Sequence, residues 1–162
     1  MDYKLAKIDQ EDRKILSCLR RNARETLTNI SKDTGIPISS IFDRLKRLEK
    51  IEIITRYTCL LDMEKVGFSV TVFLFLKIAN KRQNEVEKFL MENPNVNNLL
   101  RVNGDWNLIV DVLFRDINSF ELFADTFKND FKEIEISIHY VLEDIKRENF
   151  LIDNALKNNE VK

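Results

Sequence analysis

The pattern of apolar and polar positions in residues 27–50 predicts two short helices joined by a turn. Gly35 is typical of the left-handed residue that ends a helix, and Pro37 suits the start of the next one. Thr28 is predicted to cap the first helix, because its hydroxyl can accept from an otherwise unpaired backbone N–H. In the second helix, apolar residues at spacings of three and four predict one buried stripe, formed by Ile38, Ile41, Leu45 and Leu48.

The opposite face of the second helix is polar at its start and basic toward its end. This order favours a helix that places its first turns at base edges and its later turns at phosphates of double-stranded DNA. The candidate DNA contacts are Ser39, Ser40, Phe42, Asp43, Arg44, Lys46 and Arg47. Arg44 lies beside the buried stripe, so an ion pair within the protein is an equally open role for it. A corner of two helices with a merely solvated basic face is the alternative to a helix-turn-helix.

The segments on either side complete a helical unit. Residues 9–21 predict a helix that Asp9 caps and whose buried side includes Ile15. Residues 53–62 are rich in β-forming side chains, and they predict an extended strand that leaves the unit as a wing or as a link.

From Phe68 onward the periodicity alternates as β-α-β-β-α-β. The predicted elements are strands at 69–79, 96–103 and 107–115, a helix at 84–92, a helix that Asp116 caps, and a last strand that ends near Tyr140. A short helix is also predicted around 146–156. Two helices can cover only one face of a four-stranded sheet, so the other face is predicted to be open.

That open face is predicted to be apolar, since Phe73 and Phe75 share it with Ile109 and Leu113. A soluble monomer rarely leaves such a patch exposed. We therefore expect a homodimer in which two copies pack sheet against sheet. A dimer would also present two helix-turn-helix units to a two-fold-symmetric DNA site.

Composition and charge agree with this division of the chain. The 162 residues are 44% apolar and 33% charged, with a formal net charge of −1, which is typical of a folded protein of one or two domains. Residues 1–57 hold 13 Lys and Arg against 9 Asp and Glu, whereas residues 58–162 hold 13 against 18. The basic excess lies in the half that carries the helix-turn-helix. With no apolar run of membrane-spanning length and no signal-peptide core, we expect a cytoplasmic protein without a membrane partner.

The reactive side chains give no sign of catalysis, of a metal or of a cofactor. Cys18 and Cys59 are isolated, which predicts neither a disulfide framework nor a zinc site. His139, the only histidine, is expected at a surface or interface, and Asp111 is expected to pair across the dimer. The sequence shows no Ser–His–acid set, Cys/His cluster or phosphate loop, so we do not expect an enzyme.

The two halves together resemble the Lrp/AsnC family of bacterial and archaeal transcriptional regulators over residues 8–145. The matching motifs, in order, are Ile8-Asp9, Asn22-Ala23-Arg24, Ile30-Ser31-Lys32 through Gly35-Ile36, the segment 41–49, Ile53-Ile54 with Tyr57, and Gly104-Asp105-Trp106. The resemblance implies an α+β protein, with an N-terminal winged helix-turn-helix and a C-terminal ferredoxin-like βαββαβ effector (RAM) domain. The implied boundaries are 1–52 for the DNA-binding domain, 53–67 for a linker strand, 68–145 for the ligand-sensing and dimerisation domain, and 146–162 for a tail.

The resemblance also implies a function. Such a protein controls transcription at palindromic promoter sites, is modulated by an amino acid or a related small molecule, and forms dimers that often assemble into octamers. By the same resemblance, the effector would bind at Asn103, Gly104, Asp105, Trp106 and Asn107.

The chain departs from the family at five positions. Phe42 and Asp43 stand where the family usually has basic residues, and Glu52 and Arg56 stand where it usually has glycine. Asn107 replaces an aspartate, so a carboxylate that could pair with an amino acid's ammonium group becomes a neutral amide. Siroheme decarboxylases resemble the family in both domains, so such an enzyme is one alternative. A ligand-sensing adaptor that does not bind DNA is the other.

Overall fold

The structure, a computed structural model, describes residues 7–79 and 81–150. Its elements, in chain order, are α1 (Gln10–Arg21), α2 (Leu27–Thr34), α3 (Ile38–Lys50), β1 (Val70–Lys77), α4 (Gln83–Glu92), β2 (Val96–Arg101), β3 (Leu108–Phe114), α5 (Ile117–Asp130) and β4 (Glu135–Tyr140). The chain divides into two compact units: one runs to Leu60 and also takes in the segment that begins at Lys146, and the other spans Leu61–Ile145. No helix among the described residues is both long enough and apolar enough to cross a membrane.

Asp9 caps helix α1, as the sequence predicts, and the cap is reciprocal. The Asp9 carboxylate accepts from the Asp12 N–H at 2.9 Å, and the Asp12 carboxylate accepts from the Asp9 N–H at 3.1 Å. These two bonds satisfy backbone donors that have no partner within the helix. The acidic first turn and the basic last turn match the positive and negative ends of the helix.

Helix α2 begins earlier than predicted, since Thr26 and not Thr28 is its cap. The Thr26 hydroxyl accepts from the Asn29 N–H at 3.2 Å, and Thr28 lies inside the helix. The reason is Leu27, which packs on the core as the first helical residue and so moves the cap to the position before it. Gly35 ends the helix at φ +74°, in the left-handed region expected for it.

The predicted buried stripe of α3 is correct except at its first residue. Ile41 and Leu48 are fully buried and Leu45 packs against the core, but Ile38 is 46% exposed. Ile36, in the turn, takes the inward position instead. Together with Ile15, Cys18, Ile30 and Ile41 it forms a small core. Because Ile38 opens the helix, it has no preceding helical turn to cover it.

The predicted strand at 53–62 is wrong, because no described residue before Val70 belongs to a strand. The chain instead wraps around the end of α3, where the N–H groups of Ile53 and Ile54 both donate to the Leu48 carbonyl at 2.9 and 3.2 Å. β-forming side chains make a strand only beside a partner that shares their hydrogen bonds, and the described chain offers none here. Of the helix predicted around 146–156, the part at 146–150 is not helical, and the remainder lies outside the described residues.

The second unit is a four-stranded antiparallel sheet in the order β2-β3-β1-β4. One face is covered by α4 and α5, and Phe120, Phe123 and Phe127 of α5 pack on alternate residues of β1 and β3. The βαββαβ order and the ferredoxin-like fold are therefore confirmed. On the other face, Phe73 pairs in register with Asp111 and His139.

Candidate nucleic-acid interface and ligand loop

The outer face of α3 displays most of the predicted DNA contacts. Ser39, Asp43 and Lys46 are exposed and Ser40 is half-buried. The Phe42 ring is 46% exposed, and the Lys46 ammonium lies 4.3 Å above its centroid. A cation at this distance from an aromatic face is attracted by the π-electrons of the ring. The face thus combines hydroxyls, a carboxylate, an aromatic ring and a positive charge.

The two arginines of α3 are held by carboxylates of α1. The Arg44 guanidinium donates to Asp9 at 2.6 Å, to Asp12 at 2.8 Å and also to Glu11. Arg47 donates to the other oxygen of Asp12, whose side chain is fully buried. Of the two open roles for Arg44, the structure shows the ion pair within the protein.

The charges of this cluster stabilise one another. Two hydrogen bonds lower the pKa of Asp9 to about 2: the larger effect comes from the Asp12 N–H and the smaller one from the Arg44 guanidinium. Burial raises the pKa of Asp12, but hydrogen bonds from Arg47, from the Asp9 backbone and from Arg44 outweigh it, and the pKa is lowered overall. Hydrogen bonds to Asp9 and Asp12 raise the pKa of Arg44. Asp9, Asp12 and Arg44 are therefore all charged at neutral pH.

The open face of the sheet carries the predicted apolar residues. Phe73, Phe75, Ile109 and Leu113 are all half-buried there. The Phe75 ring meets the His139 ring edge-on at 5.0 Å and the Trp106 ring at 6.4 Å. The His139 Nε2 lies 2.8 Å from the Ser137 hydroxyl, so a small polar pair borders the aromatic cluster.

Asp111 lies on the same face at the centre of β3, only 7% exposed. One of its oxygens accepts from the side-chain amides of Asn97 and Asn98, each at 2.7 Å. A bulge between Val96 and Asn98 brings both amides to this side of the strand. The other oxygen is buried and has no hydrogen-bond partner among the described residues. A buried oxygen without a donor costs free energy.

The ligand loop, residues 102–107, connects β2 to β3, and it is fixed at its base. The Val102 N–H donates to the Asn107 carbonyl at 3.0 Å. The Asn107 side chain accepts from the Ile78 N–H at 2.9 Å and donates to the Ile78 carbonyl at 2.6 Å. A carboxylate could not donate the second bond, and this explains in structural terms why the chain has asparagine and not aspartate at this position.

The tip of the ligand loop is open. Asn103, Gly104 and Asp105 are exposed, whereas Trp106 and Asn107 are half-buried. Gly104 adopts φ +131°, a conformation that residues with a side chain rarely adopt. The loop therefore presents one carboxylate and an exposed tip beside the aromatic cluster of the open face.

Comparison with protein families assigns both halves of the chain. Residues 8–55 match a model described as winged helix-turn-helix DNA-binding. Residues 71–151, half of the chain, match the Lrp/AsnC ligand binding domain. The chain belongs to the Lrp/AsnC family. It is a DNA-binding transcriptional regulator that carries the family's ligand-binding domain.

Individual relatives of this Lrp/AsnC regulator agree. An uncharacterised HTH-type transcriptional regulator of Pyrococcus furiosus is 33% identical over 70% of this chain and 78% of its own. The glutamate uptake regulatory protein of Zymomonas mobilis is 27% identical over 91% of this chain and 92% of its own. Among solved structures, the complex of the transcriptional regulator NMB0573 of Neisseria meningitidis with L-Met superposes with a TM-score of 0.83. That chain is 25% identical, and the match covers 93% of this chain and 99% of that one.

Sequence reasoning missed two residues of the DNA-binding half of this Lrp/AsnC regulator. Asp12 is the buried acceptor for both arginines of α3, a role that the sequence does not indicate. The stripe of α3 predicts that Ile38 lies in the core, but Ile38 is exposed, one helical turn before Phe42. Ile36, directly after Gly35, is a signal in the sequence that another apolar residue fills the core position predicted for Ile38. Nothing in the sequence links Asp12 to Arg47.

Proposed function

We propose that this Lrp/AsnC regulator binds palindromic promoter DNA in the cytoplasm as a homodimer or a multiple of one, such as an octamer. The observation that supports this most directly is the outer face of α3, where exposed polar groups surround Phe42 and Lys46 in the half that matches a DNA-binding model. In this proposal that face lies in the major groove, which is wide enough to admit a helix.

Each side chain of the face has a role that suits its chemistry. Ser39 and Ser40, in the first turn, contact base edges. Asp43 accepts from an amino group of a base, for which cytosine is the preferred partner. Lys46 contacts a phosphate, since it is exposed and its charge is not shared with a carboxylate in the pairs described above. Phe42 lies between these groups and faces the bases.

Arg44 and Arg47 act differently in this proposal. Their guanidinium groups are already bound by Asp9, Glu11 and Asp12. Moving them to phosphates would leave the buried Asp12 carboxylate without its two guanidinium partners, at a high cost in free energy. They hold α3 at a fixed angle to α1, and so they position the other residues rather than binding DNA.

The proposed effector is an amino acid or a related small molecule at the ligand loop. The L-Met complex of the Neisseria relative supports the ligand class. In this chain the Asn107 amide is occupied by Ile78, so Asp105 is the carboxylate at the loop that is left to pair with an ammonium group.

The proposed dimer packs the open faces of two sheets together. Phe73, Phe75, Ile109 and Leu113 would then be covered, as apolar surface of this extent normally is. The free oxygen of Asp111 would lie within the same interface.

Binding rather than catalysis is the proposed activity. The Pyrococcus furiosus relative is named as an HTH-type transcriptional regulator. Siroheme decarboxylases that resemble this family keep a histidine- and arginine-rich pocket, whereas the ligand loop of this chain contains neither residue type. The single histidine lies against Phe75 and Ser137.

The proposed function is tested by selecting binding sites from random duplex DNA at two salt concentrations. Lys46→Ala should weaken binding to all sequences alike and lower the salt slope by about one per bound protomer. Ser39→Ala should change which bases are tolerated, at ~1–3 kcal/mol for each unfavourable base pair. As a control, Lys128→Ala removes an exposed lysine of α5, and it should leave both the salt slope of binding and the selected DNA sequence unchanged.

Two results would contradict the proposal. Failure of the parent protein to select any sequence would favour an adaptor that does not bind DNA. Selection that neither variant alters would show that α3 does not lie at the DNA.

A further inference from the structure

Two large apolar side chains stand next to each other on the exposed surface of α3. Ile38 and Phe42 are four residues apart, which places them on neighbouring turns of the same helix face. Each is 46% exposed, although the small core beneath already has Ile36 and Ile41 fully in place. Neither side chain is needed to complete that core. A single exposed apolar residue needs no explanation, but a pair at the start of a DNA-binding helix does.

The Lys46 ammonium adds a second observation. It lies 4.3 Å above the centroid of the Phe42 ring, and Phe42 is still 46% exposed. The positive charge beside the ring suits a surface that approaches phosphates. DNA presents apolar groups and phosphates within one groove, so it offers a partner for both the apolar pair and the lysine.

The apolar group that the major groove of unmodified DNA presents is the C5-methyl of thymine. Cytosine carries only hydrogen at that carbon, and the purines present hydrogen-bonding atoms in the groove. An isoleucine and a phenyl ring next to each other therefore discriminate thymine from cytosine without a hydrogen bond.

We propose that Ile38 and Phe42 contact thymine methyl groups, and that each operator half-site carries thymine opposite the first two turns of α3. This inference rests on the proposed function, and it names the base that the helix selects there. Removing one methyl group from such a contact should weaken binding roughly three- to fivefold, the effect of burying one methyl group.

The test replaces thymine by deoxyuridine, one position at a time, in the operator selected by the parent protein. This change removes the methyl group and leaves every hydrogen-bonding group of the base pair. For the parent protein, affinity should fall about fourfold per half-site at one or two positions and stay constant at the other thymines. Measuring the affinity of each duplex by fluorescence anisotropy gives the ratio directly.

Protein variants show which of the two side chains makes each methyl contact. Phe42→Ala should bind the thymine operator more weakly and should no longer distinguish it from the deoxyuridine operator at the position that Phe42 contacts. Phe42→Leu keeps an apolar side chain and should retain part of the discrimination. Ile38→Ala should lose discrimination at a neighbouring position. As a control, Leu122→Ala, which truncates an exposed apolar residue of α5, should discriminate as the parent does.

The outcomes separate this inference from the proposed function. If the parent selects an operator but tolerates deoxyuridine at every thymine, the methyl contact is wrong and DNA binding stands. If Phe42→Ala changes the oligomeric state and leaves the thymine preference intact, the pair is a protein contact and the inference is wrong. If no operator is selected at all, both the proposed function and the methyl contact are wrong.

Discussion

At the scale of single residues, Asp12 holds the DNA-binding unit together. Its buried carboxylate accepts from Arg44, from Arg47 and from the Asp9 backbone. The apolar core of this unit is small, so the angle between α1 and α3 depends on charge as well as on packing. A buried carboxylate that loses its partners is costly, which makes this cluster a cooperative unit.

We predict that this cluster makes the protein sensitive to acid. The pKa of Asp9 is about 2 in the folded protein, below its ordinary value of 3.8, and the pKa of Asp12 is lowered as well. A carboxyl group whose pKa is lower in the folded state stabilises the fold above its unfolded pKa. This stabilisation should be complete above about pH 5 and should be lost as the pH falls toward about 2.

Thermal unfolding of the parent and of Asp12→Asn, followed by circular dichroism between pH 2 and pH 7, checks this prediction. The variant should be less stable at pH 7 by about 1–3 kcal/mol, and the difference should shrink as the pH falls. Asp33→Asn, at an exposed position of α2, is the control and should follow the parent. A difference between parent and Asp12→Asn that does not depend on pH would contradict the prediction.

Single residues also show what a sequence can and cannot predict. The Asp9 cap and the left-handed Gly35 follow from local rules, and both are confirmed. The partners of Arg44 do not follow, because they lie more than thirty positions away and meet it only when the helices pack. The left-handed Glu52, at φ +58°, occupies a position where the family usually has glycine, and a side chain there costs roughly 1–2 kcal/mol.

At the scale of elements, hydrophobic periodicity predicts each helix and strand from α1 to β4. It fails at 53–62, where the side chains favour a strand but the described chain supplies no neighbouring strand. It also fails at Ile38, because a periodic stripe does not show that a residue of the preceding turn fills the same space. Both errors arise from tertiary contacts that a local pattern does not contain.

The ligand loop is the element whose function is most directly testable. We predict that an amino acid raises the melting temperature of the parent protein and that Asp105→Ala abolishes this rise, because the ammonium group loses its carboxylate partner. A ligand at ten times its Kd stabilises by roughly 1.4 kcal/mol, which a thermal-shift assay detects as a few degrees.

The matched control for this assay is Asp125→Ala, which removes an exposed carboxylate of α5 and should keep the full response. DNA binding without ligand should be the same in all three proteins. A screen of the twenty amino acids at millimolar concentration in which none stabilises the parent would show that this regulator acts without such an effector.

At the scale of the whole molecule, charge is divided between the two halves. Residues 1–57 carry a basic excess, and residues 58–162 carry more Asp and Glu than Lys and Arg. Since like charges repel, the acidic half is disfavoured near the phosphates that attract the basic half. This division favours a protein in which one half binds DNA and the other assembles copies and senses a ligand.

We predict that assembly depends on the open face of the sheet. Phe75→Glu would place a charge in an apolar interface, at a cost of several kcal/mol if it is unpaired, and should convert the assembly to monomers. Sedimentation velocity of parent and variant at the same concentration measures the change. Leu122→Glu, a charge on an exposed residue of α5, is the control and should leave the dimer intact. Equal sedimentation of the parent and Phe75→Glu as monomers would show that two sheets do not pack together.

The bulge in β2 has a consequence for solubility. β2 is an edge strand, and a regular edge of exposed N–H and C=O groups invites pairing with strands of other molecules and the growth of fibrils. The bulge between Val96 and Asn98 interrupts the spacing that an incoming strand would need. Because the Asp111 carboxylate accepts hydrogen bonds from both Asn97 and Asn98, the bulge is stabilised in one conformation. The same carboxylate that marks the open face thus makes the edge of the sheet a poor template for aggregation.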